Sequence, residues 1–204
     1  MVGTIQNRDK FLNQIASRLE RPRISSPVER PTWKFQPQYE VLKDATQDDL
    51  LEVLTEQCRK IHTNLYVTDS KDLSATLNEV VSGYGGGPIV TWQDKRFSKW
   101  GLDALFNKEW PAQNIEVYEW DHSKGKQNIA KAEQANVGIT ISEITLAESG
   151  TVVLLSDENK GRTVSFLPAT YIALVPKSTL APRITQAAKK LREIHNKTGH
   201  VPSC

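Results

Sequence analysis

A chain of 204 residues with 38% hydrophobic and 25% charged content has the make-up of an ordinary globular protein and can bury a sizeable core. Its formal charge of +2 argues against a nucleic-acid surface, and no apolar run approaches the roughly 20 residues that span a bilayer. The N-terminus lacks the apolar core of a signal peptide, and Asp9 and Glu20 do not suit an acid-poor transit peptide, so a cytoplasmic protein is expected.

Phe11, Leu12, Ile15 and Leu19 recur at helical spacing and predict an amphipathic helix within residues 1–20. Residues 21–45 read as a Pro-rich linker, since Arg21–Gln38 holds four of the ten prolines. The main domain is expected over 46–204. Thr46 is a good N-cap, followed by Asp48 and Asp49 at the favourable end of the helix dipole. Leu50, Leu51, Leu54, Cys58 and Ile61 form the buried stripe of that helix. A short strand is predicted at Leu65–Thr68, then a helix capped by Ser70 with Leu73, Leu77, Val80 and Val81 inward. Strands follow at Ile89–Trp92, Ile115–Trp120 and Val137–Ile141, separated by a weaker helical region through Phe97, Leu102 and Leu105 and by a helix over Lys124–Ala135. This alternation predicts right-handed crossovers and an α/β fold with a mixed, mostly parallel sheet flanked by helices.

Beyond Val137–Ile141, Ser142 can cap a short helix through Thr145–Glu148, which Gly150 would end. Strands at Thr151–Ser156 and Arg162–Leu167 around Asp157–Gly161 predict a hairpin, with another strand at Tyr171–Val175. The last helix is predicted from Pro182, at its first position, to His195.

Several residues are candidates for binding. Glu148, Ser149 and Gly150 sit on a tight turn between strand-like runs; Glu148 is either a ligand or partner contact or a hydrogen-bonded structural carboxylate, and Glu143 reads as first-turn decoration. Lys160 and Arg162 flank Gly161, as solvated turn charges or as an anion clamp in which arginine can grip a carboxylate with two prongs. Lys124 and Lys126 surround Gly125 where a strand gives way to a helix, the order an anion site requires. Gly85, Gly86 and Gly87 follow a helix and lead into a strand, the reverse of a phosphate loop, so they read first as a helix C-cap and second as a loop open to a ligand. No Ser–His–Asp or Cys–His signature turn is present. His195 and His200 lack the cysteine pair of a zinc finger, so no metal is expected. Cys58 and Cys204 are the only cysteines, two short of what a four-thiolate cluster needs.

Three segments carry a family resemblance in combination: GTIQNRDKFLNQIASRL, AEQANVGITISEITLAESGTVVL and KGRTVSFLPATYIALVPKSTLAPR. The chain resembles the lactate utilization protein C family of LUD-domain proteins, its Bacillus-type members above all. The resemblance implies a fold similar to the ribose-phosphate isomerase and CoA-transferase group, with an N-terminal helical extension. It also implies a cytoplasmic system that oxidises L-lactate to pyruvate, in which this chain is an accessory subunit with no redox cofactor of its own. The iron–sulfur clusters are then expected in the partners, lactate utilization proteins A and B, and a small carboxylate is a possible ligand. Glu148, Ser149, Gly150, Arg162 and Pro168 match the family motifs, and Glu148 is the candidate catalytic group. The family is expected to continue past the equivalent of Val201–Cys204 with a further apolar strand, so the C-terminal part of the domain is expected to be missing here. Two other classes stay open: a stand-alone sugar-phosphate or CoA-ester enzyme using Glu148 as nucleophile or base, and a scaffold or regulator in which AESG is only a tight connection.

Overall fold

The computed structural model describes residues 6–24, 27, 29 and 31–199. Cys204, His200 and the rest of the Val201–Cys204 segment lie outside them. The chain divides into two compact units, residues 1–36 and 37–204.

The first unit carries α1 (Arg8–Arg18), on which no residue is buried. Arg23 reaches back to it, donating to Asp9 at 2.7 Å and to Asn13 at 3.2 Å.

The second unit holds a four-stranded parallel sheet in the order β2-β1-β3-β6, built from β1 (Ile89–Thr91), β2 (Val117–Glu119), β3 (Val137–Ile141) and β6 (Thr170–Leu174). Every residue of β1 and β3 is buried, the pattern of strands covered on both faces. A second sheet has the order β5-β4-β7, from β4 (Ile144–Leu146), β5 (Thr151–Val153) and β7 (Leu180–Ala181). Here β4 runs antiparallel to β5 and parallel to β7. The mostly parallel, helix-flanked α/β architecture is therefore present, and its antiparallel pair lies in the smaller sheet.

Helices cover both sheets. On one face of the large sheet, α6 (Lys126–Gln134) packs against α7 (Thr163–Phe166), which lies on β3. The β1→β2 connection runs in the opposite direction along the sheet, so right-handedness sends it to the other face. That connection comprises α4 (Lys95–Lys99), a π-helical turn at Leu105–Glu109 and α5 (Trp110–Ala112). It meets α3 (Leu73–Gly83) where the Trp110 indole donates to Asn78 at 2.8 Å. Around the small sheet, α2 (Gln47–Lys60) packs Leu50, Leu54 and Cys58 against Ala147 and Leu180. From α8 (Ile184–Thr198), Ala187 meets Ile144 and Leu146. Thr46 caps α2 as expected, in a reciprocal box with Asp49.

Several local expectations are corrected. Leu65–Thr68 forms no strand: Tyr66 and Val67 are exposed and no neighbouring strand pairs with them. The short helix expected at Thr145–Glu148 is strand β4 instead, because its backbone finds partners on both sides, in β5 and β7. Ser142 accordingly caps no helix; its hydroxyl donates to the Ile144 carbonyl at 2.8 Å. Arg162–Leu167 is not a strand but the short helix α7 with its two caps, and α7 lies so close on β3 that a Cβ at Gly138 would stand 2.1 Å from the Val164 carbonyl oxygen. The last helix starts at Ile184 rather than Pro182, whose carbonyl accepts from the Glu148 amide at 3.3 Å. The α3 cap is Asp72 rather than Ser70.

Candidate functional site

In the order β2-β1-β3-β6 the chain leaves β1 toward one edge of the sheet and returns past it to β3. The carboxyl ends of β1 and β3 therefore flank the topological switch point, where open α/β sheets leave a crevice for ligands. Charged residues occupy both lips. Asp94 follows β1 by three residues, Arg96 opens α4, and Glu143 follows β3 by two.

Asp94 caps α4, accepting from the Arg96 amide at 2.9 Å. The Arg96 guanidinium grips the same carboxylate with two prongs, Nε to Oδ1 at 3.0 Å and Nη2 to Oδ2 at 2.6 Å. The same Nη2 donates to Glu143 Oε1 at 2.5 Å. Lys160 completes the cluster, its Nζ 3.4 Å from Asp94, 3.6 Å from Glu143 and 3.8 Å from Asp157. The ammonium also stands over the Trp92 ring, 5.8 Å from its centre.

Lys160 is delivered by a turn stapled across the strand ends. The Trp92 indole donates to the Gly161 carbonyl at 2.9 Å, the Gln93 amide to the Asn159 carbonyl at 3.1 Å, and the Trp120 indole to the Glu158 carbonyl at 3.0 Å. Trp120 lies flat enough against Gly161 that any Cβ there would fall 2.2 Å from a ring carbon. Glycine is the residue that lets this turn close down on the sheet.

Burial would raise the Asp94 carboxyl, whose side chain is only 6% exposed, but the hydrogen bonds and charge of Arg96 and the charge of Lys160 outweigh it. The result is a carboxyl held at about 2 instead of 3.8. Arg96 is pushed the other way: burial opposes its charge, yet the bonds and charges of Asp94 and Glu143 raise it further. Because the folded Asp94 binds its proton more weakly than the unfolded one, its stabilisation is complete above 3.8 and disappears as pH falls through about 2. The gap corresponds to about 2 kcal/mol. Unfolding free energies measured down this range should fall less steeply for Asp94→Asn than for the natural chain; parallel curves would refute the role given to Asp94.

The other sequence candidates occupy separate places. Glu148 is ion-paired with Arg183 at the start of α8, and the Ser149 hydroxyl meets Thr151 Oγ1 at 2.8 Å across the β4–β5 turn. Gly150, at φ 70°, closes that turn with its amide on the Leu146 carbonyl at 2.8 Å. Arg162 is exposed at the entry to α7, where its carbonyl accepts from the Ser165 hydroxyl at 2.9 Å. Lys124 and Lys126 flank Gly125 at the start of α6, after the carboxyl end of β2. Gly85, Gly86 and Gly87 lie at the opposite, amino end of β1; the Gly85 and Gly86 amides cap α3 on Ser82 and Val81 at 3.1 and 2.9 Å. Of these candidates, Lys160 joins the switch-point cluster. Asp94 and Arg96 were not singled out in the sequence, and Glu143 was read as decoration. The signal that points to Asp94 and Glu143 is a charged residue two or three places beyond a fully buried parallel strand, with Arg96 two places further on from Asp94.

Among the described residues, no group of three or more His, Cys, Asp and Glu is arranged to hold a metal. Cys58 is packed on α2, and burial pushes its thiol up, away from the reactive thiolate. No described helix is long and apolar enough to cross a membrane.

The LUD domain family matches residues 51–204. The chain is 56% identical over 202 residues to the lactate utilization protein C of Geobacillus sp. (strain WCH70), and 54% identical over 202 residues to that of Bacillus subtilis (strain 168). Each alignment covers 99% of this chain and 84% of the relative. The chain belongs to the lactate utilization protein C family. A crystal structure of a DUF162 family protein from Deinococcus radiodurans superposes with a TM-score of 0.56 at 11% identity, covering 74% of this chain and 84% of that one. That likeness concerns the fold, and it agrees with the expected ribose-phosphate isomerase-like class. Membership of this family ties the chain to lactate utilization.

Proposed function

We propose that this chain is a cytoplasmic subunit of a system oxidising L-lactate to pyruvate, bringing no redox centre of its own and working beside the iron–sulfur lactate utilization proteins A and B. The observation that carries the reading is the 54–56% identity to lactate utilization protein C relatives across 99% of the chain. The chemistry of the residues supports the division of labour. Converting lactate to pyruvate releases two electrons and two protons, and the electrons need an acceptor. A four-thiolate cluster needs twice the cysteines this sequence has, and Cys58 is committed to the α2 packing face. What the chain does offer is a mixed-charge cluster at the switch point, with a guanidinium and an ammonium whose chemistry suits a small anion.

The test is reconstitution. Lactate-dependent reduction of a dye by the two iron–sulfur proteins should require this chain, and the three should co-purify. Full dye reduction in its absence would refute the reading.

A further inference from the structure

We propose that the switch-point cluster is a seat for a small monocarboxylate, in which Arg96 and Lys160 hold the ligand's carboxylate and Glu143 is the internal occupant it displaces. The choice of lactate and pyruvate as probes rests on the function proposed above; the seat itself rests on the way the two acids are held.

Asp94 and Glu143 share the same cations but differ in kind. Asp94 engages both oxygens with Arg96, caps α4 and is 6% exposed at its side chain, so it is a fixed part of the wall. The bonds of Glu143 to the cations run through Oε1, and its side chain is 21% exposed. Its backbone is pinned independently, the amide donating to the Val153 carbonyl at 3.0 Å and the carbonyl accepting from Lys190 at 3.0 Å. The side chain can therefore swing aside while the loop stays in place. Once it does, a carboxylate-sized position opens between Nη2 of Arg96 and Nζ of Lys160, floored by the buried Trp92 ring.

Charge selects the class of ligand. With Glu143 withdrawn, two cations face one fixed anion, which leaves a single positive charge for the newcomer. Asp157, 3.8 Å from Lys160 and half exposed, is screened by water. A monocarboxylate restores the balance that Glu143 provided, whereas a dianion would overfill it beside Asp94.

Calorimetric titration of the full chain with sodium lactate and sodium pyruvate tests this, with lactamide and sulfate as controls. Glu143→Gln keeps a hydrogen-bonding oxygen for Arg96 but removes the competing charge, so it should tighten pyruvate binding about tenfold. Lys160→Gln should weaken binding about tenfold, and Lys160→Arg should retain it. Because Glu143→Gln leaves both cations in place, it decides the matter even if a Lys160 variant fails to fold. The proposal is overturned by an absence of saturable binding in both the natural chain and Glu143→Gln. Affinity unmoved by Glu143→Gln, or lactamide or sulfate binding as tightly as pyruvate, would also overturn it. A chain that binds pyruvate yet is dispensable for dye reduction would refute the assigned system and leave the seat standing; the reverse pattern would refute the seat alone.

Discussion

Replacing Arg96 with methionine should lower the unfolding free energy by about 3–5 kcal/mol, the cost of leaving buried carboxylates without their main partner. Arg96 meets two acids at once, and Asp94 is too buried to turn to water for compensation. Lys160 stays near both acids, but at 3.4 and 3.6 Å and as a point charge it cannot replace a two-pronged guanidinium. Lysine at position 96 should therefore recover only part of the loss. Adding Asp94→Asn and Glu143→Gln to Arg96→Met should recover more, because removing a whole charge set costs far less than orphaning half of it. Acid should narrow the difference between Arg96→Met and the natural chain, since an Asp94 carboxyl stripped of Arg96 protonates more readily while the natural chain loses its Asp94 contribution only toward pH about 2. Chemical denaturation of the four proteins across pH checks every step. A loss below about 1 kcal/mol for Arg96→Met would place this cluster with ordinary surface ion pairs.

The large sheet was legible because its central strands share one pattern: β1 and β3 are short, mostly apolar runs buried at every position, and helices separate the strands. The stretches Ser142–Glu148 and Arg162–Leu167 were not, although the strand expected from Thr151 between them is present as β5, and the reasons are tertiary. Ile-Thr-Leu at 144–146 has no local preference strong enough to choose helix or strand, and pairing with both β5 and β7 decides it. Thr-Val-Ser-Phe at 163–166 has β-branched residues that favour a strand, yet the surface offered by Gly138 accepts a helix there. The same limit governs the site. Lys160 was visible as a basic turn residue, but its partners lie 66 and 17 residues away in sequence, at Asp94 and Glu143. Only the order of strands brings them to one crevice. Motif reading favoured the AESG turn, where Glu148 pairs with Arg183, a contact no local pattern announces.

Gly138→Ala should be the most damaging single-methyl change in the chain. The added Cβ would lie 2.1 Å from the Val164 carbonyl oxygen, 2.8 Å from Pro168 Cγ and 3.3 Å from the Val164 carbonyl carbon. Two of those three atoms are backbone, so no rotamer change relieves the clash; α7 itself must lift from β3. Lifting it disturbs the next strand as well, because Pro168 leads directly into β6, whose Tyr171 is paired with Gly138. Overpacking of this kind costs about 3 kcal/mol, at the upper end of the usual range. For a domain of this size that corresponds to a melting temperature lower by about 6–12 °C. Gly83→Ala supplies the control: no atom lies within 4 Å of its added Cβ, and the helix gains a better former, so stability should hold or rise slightly. The displacement also reaches the crevice, since α7 is joined through Arg162 to the turn that carries Lys160. Gly138→Ala should therefore weaken pyruvate binding even at temperatures where the chain remains folded. Melting curves and titrations of the two alanine variants, made side by side, separate the outcomes. A Gly138→Ala protein as stable as Gly83→Ala would mean that α7 does not sit on β3 as closely as described.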